Sequence, residues 1–125
     1  MSYKILIIDD DEADSKNVRI ILEREGINDI FFSFSGRDGL EKAQALQPDL
    51  VLIDVVLPDT DGFDICRQLK GLLPAIKVIM TTGHMDAVNA VKARGSGADE
   101  LIEKVPGFQN LLRTIQDLQA AAESA

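Results

Sequence analysis

Five short apolar runs, each ending abruptly in polar residues, limit what this chain can fold into. Ile5-Leu6-Ile7-Ile8, Leu50-Val51-Leu52-Ile53 and Ile76-Lys77-Val78-Ile79-Met80 are strand-sized and rich in β-branched residues. Near-continuous apolar runs of this length suit strands buried on both faces, the condition of a parallel sheet covered by helices. Ile30-Phe31-Phe32-Ser33-Phe34 has strand composition, and Leu101-Ile102 reads as a short fifth strand.

Helical spacing fills the intervals. From Ala13 to Glu25 the apolar residues Val18, Ile21 and Leu22 recur at helical period, acids lead the first turn, and Gly26 stops the helix. Ser35-Gly36 leads into Leu40, Ala43 and Leu46, ended by Gln47-Pro48. Phe63, Ile65, Cys66 and Leu69 outline a third helix, closed by Gly71 and Pro74. Ala87 to Arg94 is a short Ala-rich fourth. A fifth starts near Gln109, carries Leu111, Leu112, Ile115 and Leu118, and frays from Ala120 to Ala125. Alternating strands and helices joined by right-handed crossovers make an α/β fold, with a parallel sheet and helices on both faces.

At 125 residues the expectation is one domain over 1–125, with one core and one site. Thirteen Lys and Arg against twenty-one Asp and Glu leave a net charge of −8, which argues against direct binding of nucleic acid or an acidic membrane surface. No signal peptide or membrane span is visible, so the expected location is cytoplasmic. The single cysteine, Cys66, excludes an internal disulfide and reads as packing.

In an open parallel sheet, ligands bind outside the carboxyl ends of the strands. Strand one delivers Asp9 and Asp10 there, strand three Asp54, strand four Thr82 and strand five Lys104. Carboxylates gathered at a partly enclosed site repel one another, so such a cluster shares protons or binds a cation. Oxygen ligands without nearby His or Cys favour Mg²⁺. Lys104 and Thr82 then offer an ammonium and a hydroxyl to the remaining oxygens of a phosphoryl group. A carboxylate can itself be the nucleophile of phosphoryl transfer, and Asp54, ending the central strand, is best placed.

These residues resemble the receiver domains of response regulators, the CheY-like modules of two-component signalling, over essentially the whole chain. Ile7-Ile8-Asp9-Asp10 is similar to the family's acid pair, Leu52-Ile53-Asp54 to its phosphoacceptor strand, and Leu57-Pro58-Asp59-Thr60-Asp61-Gly62 to the following loop. Val78-Ile79-Met80-Thr81-Thr82-Gly83 resembles its hydroxyl-bearing strand end, and Gly97-Ala98-Asp99 with Leu101-Ile102-Glu103-Lys104 the approach to its lysine. The resemblance implies a doubly wound five-stranded parallel sheet with five helices, in the flavodoxin-like order 2-1-3-4-5. It implies that Asp54 accepts phosphate from a sensor histidine kinase or a histidine phosphotransfer protein. Mg²⁺ is then held by Asp10, Asp54 and the backbone carbonyl of Val56, with Asp9 acting largely through water. Thr82 and Lys104 bind the phosphoryl oxygens. The rearranged face is helix four, strand five and helix five, where a downstream protein target docks. Such a module promotes its own phosphorylation and dephosphorylation without being an enzyme.

Two positions depart from the family pattern. Val105 intervenes between Lys104 and Pro106, and because a cis Lys-Val bond costs about 2.5 to 4 kcal/mol a trans bond or a locally altered loop is expected, leaving the aim of Lys104 open. Leu101 stands where the family commonly has an aromatic switch residue, and reads as packed.

Each of these residues also has a plain structural reading. Asp9 through Glu12 cap helix one, Asp54 starts a turn, Thr82 is a strand residue or the cap of helix four, which would leave Thr81 as the site hydroxyl, and Lys104 is a surface lysine. His84, two residues beyond Thr82, either overhangs the phosphoryl site as a modulator or is simply solvated. Gly62, Gly83 and Gly97 read as backbone-geometry residues, and Met80 and Met85 as packing or loop residues. Two rival functions stand beside the receiver. One is a haloacid-dehalogenase-like phosphatase with Asp9 as nucleophile and Asp11 as acid/base, though the chain is short for that class. The other is a degenerate receiver that binds partners without phosphorylation.

Overall fold

The computed structural model describes residues 3–105 and 107–124. Pro106, where the loop after Lys104 departs from the family pattern, lies outside the described residues. Among those described, ten elements alternate: β1 (Ile5–Ile8), α1 (Glu12–Arg24), β2 (Ile30–Ser33), α2 (Gly36–Leu46), β3 (Leu50–Asp54), α3 (Gly62–Leu72), β4 (Lys77–Thr82), α4 (Ala87–Gly95), β5 (Glu100–Glu103) and α5 (Leu111–Ser124). The strands form one parallel sheet in the order β2-β1-β3-β4-β5. This is the doubly wound flavodoxin-like arrangement expected from the sequence.

Period-two alternation splits the apolar runs between two cores. Leu6, Ile8, Val51, Ile53, Val78 and Met80 face Ala43 of α2, Ile65, Cys66 and Leu69 of α3, and Ala93 of α4. Ile5, Ile7, Leu50, Leu52 and Ile79 face Val18 and Leu22 of α1 and Leu111 and Ile115 of α5. The central strands β1 and β3 are buried throughout, which is why their sequences are unbroken apolar runs. Each fully buried Leu or Ile contributes about 1.5–3 kcal/mol relative to exposure. The edge strand β2 is only partly covered, and Phe34 lies beyond it, half exposed.

Several boundaries differ from expectation for local reasons. Helix α1 begins at Glu12 because the Asp11 side chain accepts from the Asp14 amide and serves as N-cap. Helix α4 is capped in the same way by Asp86 on Asn89, so Thr82 is not its cap. Helix α5 starts at Leu111, after a turn in which Phe108 takes φ 55°, and stays helical through Ser124 where fraying was expected. The expected glycine roles divide. Gly97 has φ +91°, and Gly62 touches the β3 backbone, but Gly83 has neither a positive φ nor a close neighbour.

Two polar ties fix the loops, one at the carboxyl edge of the sheet and one at its amino edge. Asp59 accepts from the amides of Gly36 and Arg37, at 2.8 and 3.0 Å, pinning the loop after β3 to the start of α2. These backbone donors hold its carboxyl below the usual range. Asp99 accepts from Lys70 Nζ (2.7 Å) and the Val78 amide (2.8 Å), joining α3, β4 and the approach to β5.

A Cβ on Gly62 would fall on the carbonyl oxygen of Asp54, whereas a Cβ on Gly71 in the same helix meets nothing within 4 Å. Gly62→Ala is therefore expected to cost about 1–3 kcal/mol in urea unfolding. Gly71→Ala should be neutral or stabilising by roughly 0.5–1 kcal/mol. Equal effects would show that the β3–α3 contact is not tight.

Candidate functional site

The sheet ladder carries the polar residues to one level. Ile8 pairs with Ile53, Asp54 with Thr81, and Thr82 with Glu103, so Asp9, Asp54, Thr82 and Lys104 all sit at the carboxyl edge. The hydrogen bonding runs one residue beyond the strands: Asp9 N to Ser33 O at 3.0 Å, Val55 N to Thr81 O at 3.0 Å, and Lys104 N to Thr82 O at 2.8 Å. The backbones bearing the site are therefore held by the sheet.

Asp9 and Asp54 are buried, and Asp10 is exposed. One carboxylate oxygen from each of the three lies within 4.8 Å of the others. Asp9 Oδ1 accepts from the Asp11 amide at 2.9 Å, and Asp54 Oδ1 from the Val56 amide at 3.1 Å. Burial pushes the Asp9 carboxyl up to about 6, against the opposing pull of Lys104 and the Asp11 amide.

Lys104 points into this cluster despite its altered loop. Its ammonium donates to Asp9 Oδ2 at 2.8 Å, Asp14 Oδ2 at 2.8 Å and Asp54 Oδ2 at 2.7 Å. Its side chain is only 11% exposed. Burial disfavours the charged ammonium, but hydrogen bonds from it to Asp14, Asp54 and Asp9 outweigh that and hold its pKa above the ordinary lysine range. The surface-lysine reading of Lys104 does not hold.

Thr82 is buried, but its hydroxyl is engaged locally. It donates to His84 O at 2.9 Å and accepts from the His84 amide at 3.2 Å and from Asn89 Nδ2 at 3.3 Å. Thr81 is also buried and pairs in register with Asp54. The His84 imidazole stands in solvent, 83% exposed, with Nε2 3.8 Å from Asp86. Leu101 is partly buried against the α2–α3–α4 core, which agrees with the packed reading. Val56 is exposed beside Asp54.

Asp14 and Asn89 were not legible as site residues. Asp14 resembles any acid in a first helical turn, and its connection to Lys104 spans 90 residues of sequence. The available signal was its position three residues after the N-cap Asp11, on the turn facing the strand end.

The model of the response regulator receiver domain matches residues 5–116. The chain belongs to the response regulator receiver family. It is 33% identical over 117 residues to the response regulator protein VraR of Staphylococcus saprophyticus, covering 93% of this chain and 56% of that protein. It is 34% identical over 104 residues to the alkaline phosphatase synthesis regulator PhoP of Bacillus subtilis, covering 83% of this chain and 43% of the relative. The chain thus spans about half the length of the curated relatives it matches. Among solved structures, a CheY-like receiver domain protein of Methanospirillum hungatei superposes with TM-score 0.91 at 32% identity, covering 99% of this chain and 98% of the other. The BeF3-activated DrrB receiver domain gives TM-score 0.85 at 30% identity, covering 96% and 99%. Family membership sets aside the haloacid-dehalogenase alternative, and receivers of this family are signalling proteins. Among the described residues no helix is long and apolar enough to cross a membrane.

Removing one partner of a buried ionic network leaves the others uncompensated, and Lys104 has three. Lys104→Met is expected to destabilise the receiver by about 3–5 kcal/mol at neutral pH. Urea unfolding measures this, and a loss well under 1 kcal/mol would mean the ammonium does not hold the carboxylates together.

Proposed function

We propose that this chain is a phosphoacceptor receiver in which Asp54 takes a phosphoryl group from a sensor histidine kinase or a histidine phosphotransfer protein. The observation that carries the reading is the Asp9, Asp10 and Asp54 carboxylate trio, with the Lys104 ammonium bonded to Asp54. Its chemistry is transfer to a carboxylate. An Asp54 oxygen forms the new P–O bond as the P–N bond of the donor's phosphohistidine breaks, and the bonding pair leaves with the imidazole. Lys104 already lies on Asp54 and passes its hydrogen bond to a phosphoryl oxygen.

The trio fits Mg²⁺. It offers oxygen ligands only, from three side chains close enough to share one ion. Asp10, Asp54 and the Val56 carbonyl would hold the ion directly and Asp9 largely through water. The bound cation would neutralise the negative charge of the carboxylates and of the incoming phosphoryl oxygens.

Thr82 offers a hydroxyl to the phosphoryl group once it leaves His84 O. Because Asn89 of α4 also bonds Thr82 Oγ1, that movement bears on α4 and the α4–β5–α5 face, where a downstream protein would dock. Relatives named as DNA-binding response regulators are about twice as long as the matched segment, and the −8 charge of this chain offers no attraction for DNA.

Incubation with Mg²⁺ and a small acyl-phosphate donor should add one phosphoryl mass on Asp54, absent without Mg²⁺ and in Asp54→Asn. An adduct on Asp9 with steady turnover would instead mean phosphatase chemistry. No adduct from donor or kinase would mean an interaction module that works without phosphorylation.

Mg²⁺ should also raise thermal stability, by about 2.7 kcal/mol at a concentration 100 times its Kd. Chelation should reverse the gain, and Asp10→Asn should reduce it. An unchanged melting temperature across the magnesium titration would argue against the trio as a cation site.

A further inference from the structure

We infer that Asp14 is a positioning residue for phosphoryl transfer, the fixed anchor that keeps the Lys104 ammonium aimed at Asp54; this rests on the phosphoacceptor reading of Asp54. The ammonium has three N–H donors, and three carboxylates take one each. Two of those acids, Asp9 and Asp54, belong to the trio that would hold the cation, and Asp54 also becomes the phosphorylated group. Asp14 is outside the trio, so its bond to Lys104 is the one that no other step of the reaction claims.

The anchor is built on a rigid base. Asp14 sits in the first turn of α1, where its amide donates to the Asp11 side chain at 2.9 Å and the Ser15 amide donates to Asp11 O at 3.0 Å. Its side chain is about three-quarters buried, 26% exposed. Lys104 lies at the other end of the contact, on the loop after β5, held through its own amide by Thr82 O. The Asp14–Lys104 bond therefore spans from the α1 turn to the β5 end across the mouth of the site. When Asp54 gains its phosphoryl group, Nζ has to exchange only the Asp54 bond for one to a phosphoryl oxygen. With Asp14 in place, Nζ does so without a change of position. Without it, the long flexible lysine has lost the one partner unaffected by metal and phosphoryl chemistry.

The test compares wild type, Asp14→Asn and Asp14→Glu in the full chain, using acetyl phosphate and Mg²⁺. Asp14→Asn should lower the maximal rate of Asp54 phosphorylation about three- to tenfold, the size of the charge assistance lost while the asparagine oxygen can still accept, and the half-saturating Mg²⁺ concentration should stay within about twofold. Asp14→Glu, which keeps the carboxylate, should recover most of the rate. In metal-free protein, the ¹⁵Nζ resonance of Lys104 should be observable in wild type and Asp14→Glu and broadened by water exchange in Asp14→Asn. An unchanged or faster rate in Asp14→Asn overturns the proposal, as does a slower rate with the Lys104 resonance intact. If wild type itself forms no adduct, the phosphoacceptor reading fails instead, and the ammonium resonances still decide whether Asp14 anchors Lys104.

Discussion

One buried ammonium makes this arrangement of carboxylates tolerable. Asp9, Asp14 and Asp54 each lie within 2.8 Å of Lys104 Nζ, and Asp10 stands close beside two of them. At an effective dielectric of about 20, unit charges roughly 4 Å apart interact by about 4 kcal/mol, so each repulsion between acids is comparable with each attraction to the lysine. A single positive charge cannot balance four negative ones. The cluster is left with an excess of negative charge confined to a few ångströms, which a divalent cation would complement and to which an incoming phosphoryl group would add. The Asp9 carboxyl is pushed up to about 6 chiefly by burial, with the neighbouring Asp54 charge adding a smaller upward push.

That imbalance is sustainable because the backbone under it is rigid. The apolar runs of β1, β3 and β4 are buried on both faces, and their ladders extend one residue past the strands to Asp9, Val55 and Lys104. Register, not side-chain attraction, brings the acids to one level. Gly62 packs on the Asp54 carbonyl, and Asp59 ties the next loop to the α2 amides, so the chain leaving β3 is fixed as firmly as the strand. Free energy from the two cores is thus used to hold a locally unfavourable set of charges.

How much was readable from sequence follows from this division. Asp9, Asp54, Thr82 and Lys104 could be placed because each ends a strand, and strand ends are marked by the abrupt loss of apolar residues. The strand order was legible through the family resemblance, since alternation alone does not set which strands are neighbours. Asp14, Asn89 and Asp59 could not be placed, because each is an ordinary polar residue in a helix turn or loop. Their partners are Lys104, Thr82 and the α2 amides, at sequence separations of 90, 7 and 22 to 23 residues. Such contacts depend on the direction of individual side chains, which periodicity does not encode. The continuation of α5 was missed for a related reason: Ala120, Ala121 and Ala122 are weakly apolar, but alanine is the best helix former and needs no partner to extend a helix.

The Thr82 hydroxyl shows how a site without an aromatic residue at position 101 can still be joined to α4. Its one proton is given to His84 O, so donation to any new acceptor requires that bond to break. His84 is an exposed loop residue, so losing that donor costs its carbonyl less than the roughly 1–3 kcal/mol of a fully buried one. His84 O is not abandoned, because Asn89 Nδ2 already donates to it at 3.0 Å. Asn89 divides its amide between that carbonyl and Thr82 Oγ1, so withdrawal of the hydroxyl leaves the amide with the carbonyl alone. The exchange replaces a neutral hydrogen bond by a charge-assisted one if the new acceptor is a phosphoryl oxygen, which favours the move. Asn89 stands in the first turn of α4, where its backbone N–H donates to the Asp86 cap, so on the proposed phosphoacceptor reading a shift of the Thr82 hydroxyl would reach α4 through the Asn89 side-chain amide.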